Sequence, residues 1–393
     1  SVPYLGVQLR ASGDLFNILT DGLVPVNFGM IALSTVVVIY VASGGLRSVA
    51  YVDSAQCILL AVGICVIGIT TIYFSGGWNN FISAFHEIIN KDLVNKNNLT
   101  PSGHSSLVAI PGSIQFVSNG SKSIGGPWTG MMCLTYMFAL MGIQASPAFS
   151  MWAFSNKNSS AFRWQQVVAS SLIIGIILFT FTIIQGIGGH VLVLNDVIQN
   201  VNDKNLVPKL INLLSSSFPW LVGLLAVCAL AAMQSTGSGY MSTFSAMVIK
   251  DIYLKFLNKN ASDKNQKNSG RLIVILIAII AIFVAANTTS AIVMLGGLAV
   301  AYGFQMYPAL LGTCYFKWFS TRGVVFGLIA GLITVTLTDK TSIWFGLPWG
   351  SYPLTIHSAG WGIFVNLIVT ITTSFFIKDD KKRKKIKNKR HEF

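Results

Sequence analysis

Charge is scarce in this chain. Of 393 residues only 10% are Asp, Glu, Lys or Arg while 53% are hydrophobic, far from the roughly one-quarter charged content of a soluble domain. Cysteine is scarce too: the five residues at 57, 65, 133, 228 and 314 lie within or beside apolar runs, so neither a disulfide framework nor a metal-ligand spacing is implied. No nucleotide-binding loop, zinc spacing or catalytic nucleophile arrangement occurs, which argues against an enzyme and against any cofactor. The chain also has no initiating Met and no charged start followed by a cleavage site. It opens with Ser1-Val2-Pro3-Tyr4-Leu5 as if in mid-helix, and loss of N-terminal sequence is expected.

What the chain does have is long hydrophobic runs. Several reach the roughly 20 apolar residues that cross a bilayer. Spans are expected near 25–43, 52–75, 128–150, 166–193, 218–248, 272–288, 291–315, 323–338 and 356–377, after a partial or re-entrant segment at about 1–20. That makes an all-α, polytopic membrane helix bundle, a single transmembrane domain over 1–393 with a basic tail from 378 to 393.

The net charge of +14 would suggest nucleic acid if it were spread evenly. It is not. Arg47, Lys157, Arg163, Lys317 and Arg322 fall on one side of the spans, with six more bases in the 249–271 loop and nine in the tail from Lys378. The alternate side holds Lys91, Lys96, Lys122, Lys204, Lys209 and Lys340. This asymmetry is the positive-inside pattern and makes the C-terminus cytoplasmic, in a cell (inner) membrane. The tail reads as a topology anchor or a contact for anionic lipid head groups.

The most informative segment is Ala231-Ala232-Met233-Gln234-Ser235-Thr236-Gly237-Ser238. Ser235, Ser238, Ser242 and Ser245 recur at steps of three, four and three, so they share one helical face. Facing lipid these hydroxyls would find no partner, so the stripe is expected to point into a bundle or a wet cavity. Uncharged oxygens suit a hard monovalent cation such as Na+ better than a transition metal. A small-residue packing face is the other reading.

Elsewhere, Ser43-Gly44-Gly45 permits a tight reversal between two spans. Asp53 and Gln56 open the following helix, where a carboxylate suits the helix dipole. Trp78, Phe81, Ile82 and Phe85 are spaced as an amphipathic interfacial helix. Gly296-Gly297, Gly303, Pro308 and Gly312 interrupt a span in the way that bends and broken helices in carriers do. His190, near a helix end, is read as structural, with a proton relay as the alternative.

Taken together, Gly44-Gly45 with Asp53-x-x-Gln56, the run Ala232 to Thr236 with Asp251-Ile252-Tyr253, and Tyr302-Gly303-Phe304 through Pro308, then Trp318 and Gly323 to Gly331, resemble the sodium:solute symporter family. The resemblance implies the inverted-repeat, leucine-transporter-like fold, with the chain entering at the third core helix. It implies Na+ as coupling ion, held by the Ala232 carbonyl and the Ser235 and Thr236 hydroxyls, and a place for Asp53 in sodium movement. Gly142-Ile143-Gln144-Ala145-Ser146-Pro147 departs from the Gly-Gln-Pro-and-Arg pattern of proline-like and sugar-like branches. Tyr136, Gln144 and Gln305 are the polar candidates for solute contact, each with helix–helix hydrogen bonding as the competing role. The implied function is Na+-coupled symport of a small organic solute by alternating access, without covalent chemistry. The alternatives are the input module of a membrane sensor and an inactive fragment.

Overall fold

The computed structural model describes residues 2–90, 110–117, 123, 126–155, 158, 160, 164–199, 201, 205–287, 292–340 and 352–377. These residues form helices and no strand. They are α1 (Val2–Leu19), α2 (Val26–Phe74), α3 (Trp78–Asn90), α4 (Gly130–Met141), α5 (Pro147–Ser155), α6 (Gly175–Leu194), α7 (Leu206–Asn212), α8 (Pro219–Met247), α9 (Asp263–Asn287), α10 (Ile292–Phe304), α11 (Tyr307–Cys314), α12 (Thr321–Thr338) and α13 (Ser358–Phe376). π-helical turns at Gln165–Ile174 and Val248–Leu257 precede α6 and extend α8. The basic tail lies outside the described residues.

Among the described residues seven segments are long and apolar enough to cross a bilayer: Val26–Gly44, Ser48–Phe74, Val167–Val193, Pro219–Leu257, Asp263–Asn287, Thr321–Thr338 and Ser358–Phe376. The other two of the nine expected spans are broken. One consists of α4, a 3-10 turn at Gly142–Ala145, and α5. The other is α10, a gap at Gln305 and Met306, and α11. Pro147 and Pro308 explain the breaks, since each lacks the N–H that would continue the ladder. The segment expected to be partial or re-entrant is an 18-residue helix, α1, with Leu5, Leu9 and Leu15 buried.

By contact the chain gathers into two compact units, the first mainly Ser1–Leu93 with Ser150–Gly296, the second mainly Ser106–Phe149 with Gly297–Phe393. In the first, Leu5, Met30, Leu33, Val37, Met241 and Ile277 form a core shared by α1, α2, α8 and α9. The helical run of α2 holds two spans. Tyr40 in the first and Gln56 in the second both hydrogen-bond to Gln234. A straight helix would hold residues 40 and 56 about 24 Å apart at about 1.5 Å per residue. The helical run therefore bends sharply somewhere between Tyr40 and Gln56. α3 lays Phe81 and Ala84 against Val191 of α6, so protein covers part of its apolar face.

In the second unit, α12 and α13 pack at close range. Gly323, Gly327 and Gly331 form one stripe, and buried Asn366, Thr370 and Ser374 form its counterpart. A Cβ on Gly327 would stand 2.0 Å from Thr370 Oγ1 and 2.7 Å from the Asn366 carbonyl. A Cβ on Gly142, at the break after α4, would stand 2.4 Å from Phe304 Cα, so the two broken helices meet at their breaks. Backbone freed at such a break needs a new partner inside a membrane. Asn366 Nδ2 supplies one, donating to the Gln305 carbonyl at 2.9 Å.

Candidate functional site

α8 starts at Pro219, whose missing N–H costs nothing at the first helical turn. It continues through the hydroxyl-rich run to Met247. The serine stripe does point inward. Ser238 is fully buried and its Oγ reaches Asp53 Oδ1 of α2 at 3.3 Å. Ser245 is buried and donates to the Gly270 carbonyl of α9 at 2.8 Å. Ser242 donates to the Gly239 carbonyl one turn back. Lipid-facing serines would have only that last kind of bond, so two of these four hydroxyls tie α8 to its neighbours.

Ala232, Ser235 and Thr236 stand at i, i+3 and i+4 and so share a face of α8; all three are half-buried. Gln234 and Ser238, four apart, define the adjoining face that packs on α2. The two faces are linked through Ser235, whose carbonyl accepts from Ser238 Oγ at 2.8 Å. On the α2 side, Gln56 Nε2 donates to Gln234 Oε1 at 3.0 Å, and Tyr40 OH donates to the Gln234 carbonyl at 3.1 Å.

The dipole-partner reading of Asp53 is corrected here. Its described hydrogen bond crosses to Ser238 of α8, and none goes to amides of its own helix. The local chemistry is rich in acceptors. Ser238 has one proton and faces two oxygens, the Asp53 carboxylate and the Ser235 carbonyl. Gln56 Oε1 is buried without a hydrogen-bond partner among the described residues, as is Thr243 Oγ1 further along α8. The Asp53 carboxylate and Gln56 Oε1 are pure acceptors short of protons, a condition that a bound monovalent cation relieves, whereas the Thr243 hydroxyl carries its own proton.

The solute candidates fall in the second unit and divide in role. Gln305 is 1% exposed, donates to the Ala301 carbonyl at 3.1 Å and accepts from Asn366 Nδ2 at 3.3 Å. Its amide is committed to helix packing, the competing role. Gln144 is exposed and lines a cavity of about 610 Å³ with Met137, Met141, Tyr307 and Tyr315. Tyr136 is half-buried, its ring edge-on to Trp128 at 5.6 Å and to His357 at 4.8 Å. His357 caps α13 through its Nδ1, which accepts from the Ala359 amide at 3.3 Å, and it stacks on Tyr352 at 5.8 Å. Asp339, fully buried, accepts from Ser358 Oγ at 2.6 Å and Tyr352 OH at 3.4 Å. Burial and the Asp339 charge both raise the Tyr352 phenol above its ordinary value. Burial pushes the His357 imidazole down to about 4, with Asp339 pulling the other way. His190 lies exposed on α6, which does not suit a relay inside the bundle.

Sequence reasoning missed Tyr40, Asn366 and the roles of Gln56 and Gln234 as mutual partners. The signals were present: Asn366, Thr370 and Ser374 recur every fourth residue in an apolar helix, and Gln56 lies three residues after Asp53.

The model of the sodium:solute symporter family matches residues 1–331. The chain belongs to that family. Among similar relatives of this symporter-family chain, the osmoregulated proline transporter OpuE of Bacillus subtilis is 26% identical over 321 residues, 80% of this chain and 58% of that protein. The sodium/proline symporter of Escherichia coli is 33% identical over 130 residues, 33% of this chain and 26% of that one. The chain thus spans well under two thirds of these relatives. A solved Na+-coupled sialic acid symporter, substrate-bound and outward-open, matches with a TM-score of 0.69 at 15% identity, over 96% of this chain and 73% of that one. That likeness bears out the leucine-transporter-type fold.

Proposed function

We propose that the gene product is a secondary active transporter that carries a small organic solute together with Na+. The observation that carries this reading is the inward hydroxyl face of α8, joined at Ser238 to Asp53 of α2. In this reading the Ala232 carbonyl and the Ser235 and Thr236 hydroxyls replace water around the ion. Asp53, one helix face away, is the next station on its path. Tyr136 and Gln144 contact the solute, and Gln305 holds α10 to α13 instead. Proline and sialic acid, named for relatives, both fit the class of small carboxylate-bearing solute. Family membership and the basic side of the spans support a multi-pass place in the cell membrane with the C-terminus in the cytoplasm.

Cation and solute improve each other's affinity by reciprocal linkage. Inward movement is driven by the Na+ gradient and the membrane potential, the latter supplying about 2.3 kcal/mol per charge per 100 mV. The test is uptake by the complete gene product from a panel of amino acids, sugars and carboxylates, with and without Na+. Ser235→Ala with Thr236→Ala is expected to raise the Na+ concentration needed for half-maximal uptake. Unchanged Na+ dependence in that variant would remove the site assignment, and Na+-independent uptake of every solute would remove the mechanism.

A further inference from the structure

The serine stripe of α8 leads to a cavity of about 510 Å³ within the first unit, at the end where the first α2 span, the foot of α8 and the start of α9 converge. Ser43, Ser242, Ser245, Gln266, Lys267 and Arg271 are its polar lining, and no Asp or Glu among the described residues lines it. Arg271 Nε donates to the Ala42 carbonyl at 3.0 Å, which fixes the guanidinium at the mouth. Gln266 Oε1 accepts from Lys250 at 3.4 Å, which brings a third cation to the rim. Among the described residues Asp263, four residues before Lys267 on α9, forms no ion pair with it. Asp251 pairs with Lys255 at 2.8 Å, and among the described residues neither Lys267 nor Arg271 has a carboxylate within ion-pair distance. A concave site with an anchored guanidinium, two lysines and no described carboxylate in its lining favours an anion.

The surroundings say what carries that anion. From Arg271 onward α9 presents an exposed apolar strip: Leu272, Ile275, Leu276, Ile279, Ile280 and Phe283, each at least 43% exposed. Ile275 and Ile279 follow Arg271 at four-residue steps, so they continue its helix face toward the bilayer interior. Polar cavity and apolar strip thus meet at Arg271 in the order of a lipid's headgroup and chains.

We infer that this cavity receives the phosphate headgroup of an anionic phospholipid, held by Lys267 and Arg271, with its acyl chains along Ile275 and Ile279. The site is separate from the cation and solute readings, and its assay measures lipid retention rather than uptake. The complete gene product in detergent is titrated with phosphatidylglycerol, with phosphatidylcholine, and with inorganic phosphate, and bound lipid is counted by native mass spectrometry. Wild type is expected to hold phosphatidylglycerol in clear preference to phosphatidylcholine. Lys267→Gln with Arg271→Gln is expected to weaken that binding about thirtyfold, from about fivefold for each basic side chain near an anionic group. The charge-keeping pair Lys267→Arg with Arg271→Lys is expected to retain most of it. Equal retention of the two lipids, unchanged binding in the glutamine variant, or inorganic phosphate binding as tightly as phosphatidylglycerol would each overturn the assignment. Should the glutamine variant not fold, salt on the wild type decides: retention falling steeply between low and high NaCl supports the site, and salt-independent retention overturns it.

Discussion

Gly327→Ala is the sharpest perturbation available in the second unit. The added methyl would stand 2.0 Å from Thr370 Oγ1, 2.6 Å from Asn366 Oδ1 and 2.7 Å from the Asn366 carbonyl. Ordinary carbon contacts lie near 3.5–4.0 Å, so α13 must retreat by roughly 1 Å. The Thr370 hydroxyl can rotate away, but the carbonyl belongs to a helix and cannot. Overpacking of this kind costs about 1–3 kcal/mol. Separation of α12 from α13 also strains the Asn366 bonds to Gln305, at 2.9 Å and 3.3 Å, and a buried amide left unpaired costs about 1–3 kcal/mol more. The expected sum is about 2–4 kcal/mol, because the two effects share one displacement and do not add fully. An SDS-unfolding titration of the purified protein measures it. Gly223→Ala is the control, since a Cβ there meets nothing within 4 Å. A Gly327→Ala midpoint equal to that of the control would refute the close α12–α13 packing.

Other consequences can be tested in the same preparations. Ser238→Ala removes the described hydroxyl partner of Asp53, and is expected to raise the Na+ concentration for half-maximal uptake by about tenfold, the equivalent of one hydrogen bond to a charge; unchanged Na+ dependence would count against the Asp53 path. Gln305→Leu is expected to lower stability by about 1–3 kcal/mol while leaving solute preference alone, and an altered preference would return Gln305 to the solute site. For His357 the folded imidazole is held down to about 4 against an ordinary 6.5. Between those values the unfolded chain binds a proton that the folded one does not, so stability is full above about pH 6.5 and falls as the pH drops toward 4. Thermal melts at pH 7 and pH 5 should show that loss, and His357→Gln should flatten it; an unflattened profile would assign the acid sensitivity elsewhere.

Much of this protein was legible in its sequence because membrane physics leaves few options. Apolar runs must be helices, since backbone groups in lipid have no other partners, and a serine stripe in such a helix must face protein or water. Those two constraints were enough to place Ser238 and Ser245 inside the bundle before any contact was known. Prolines likewise marked the two broken spans. Only the tertiary structure decided which partners those groups met. Asp53 lies 185 residues before Ser238, and nothing in local spacing distinguishes a carboxylate serving its own helix dipole from one bonded across to another helix. Gln144 and Gln305 are the same residue type in similar helix breaks, yet one lines a cavity and the other is consumed by Asn366. Helical periodicity fixes the face on which a side chain lies, whereas its partner depends on how helices distant in sequence come together.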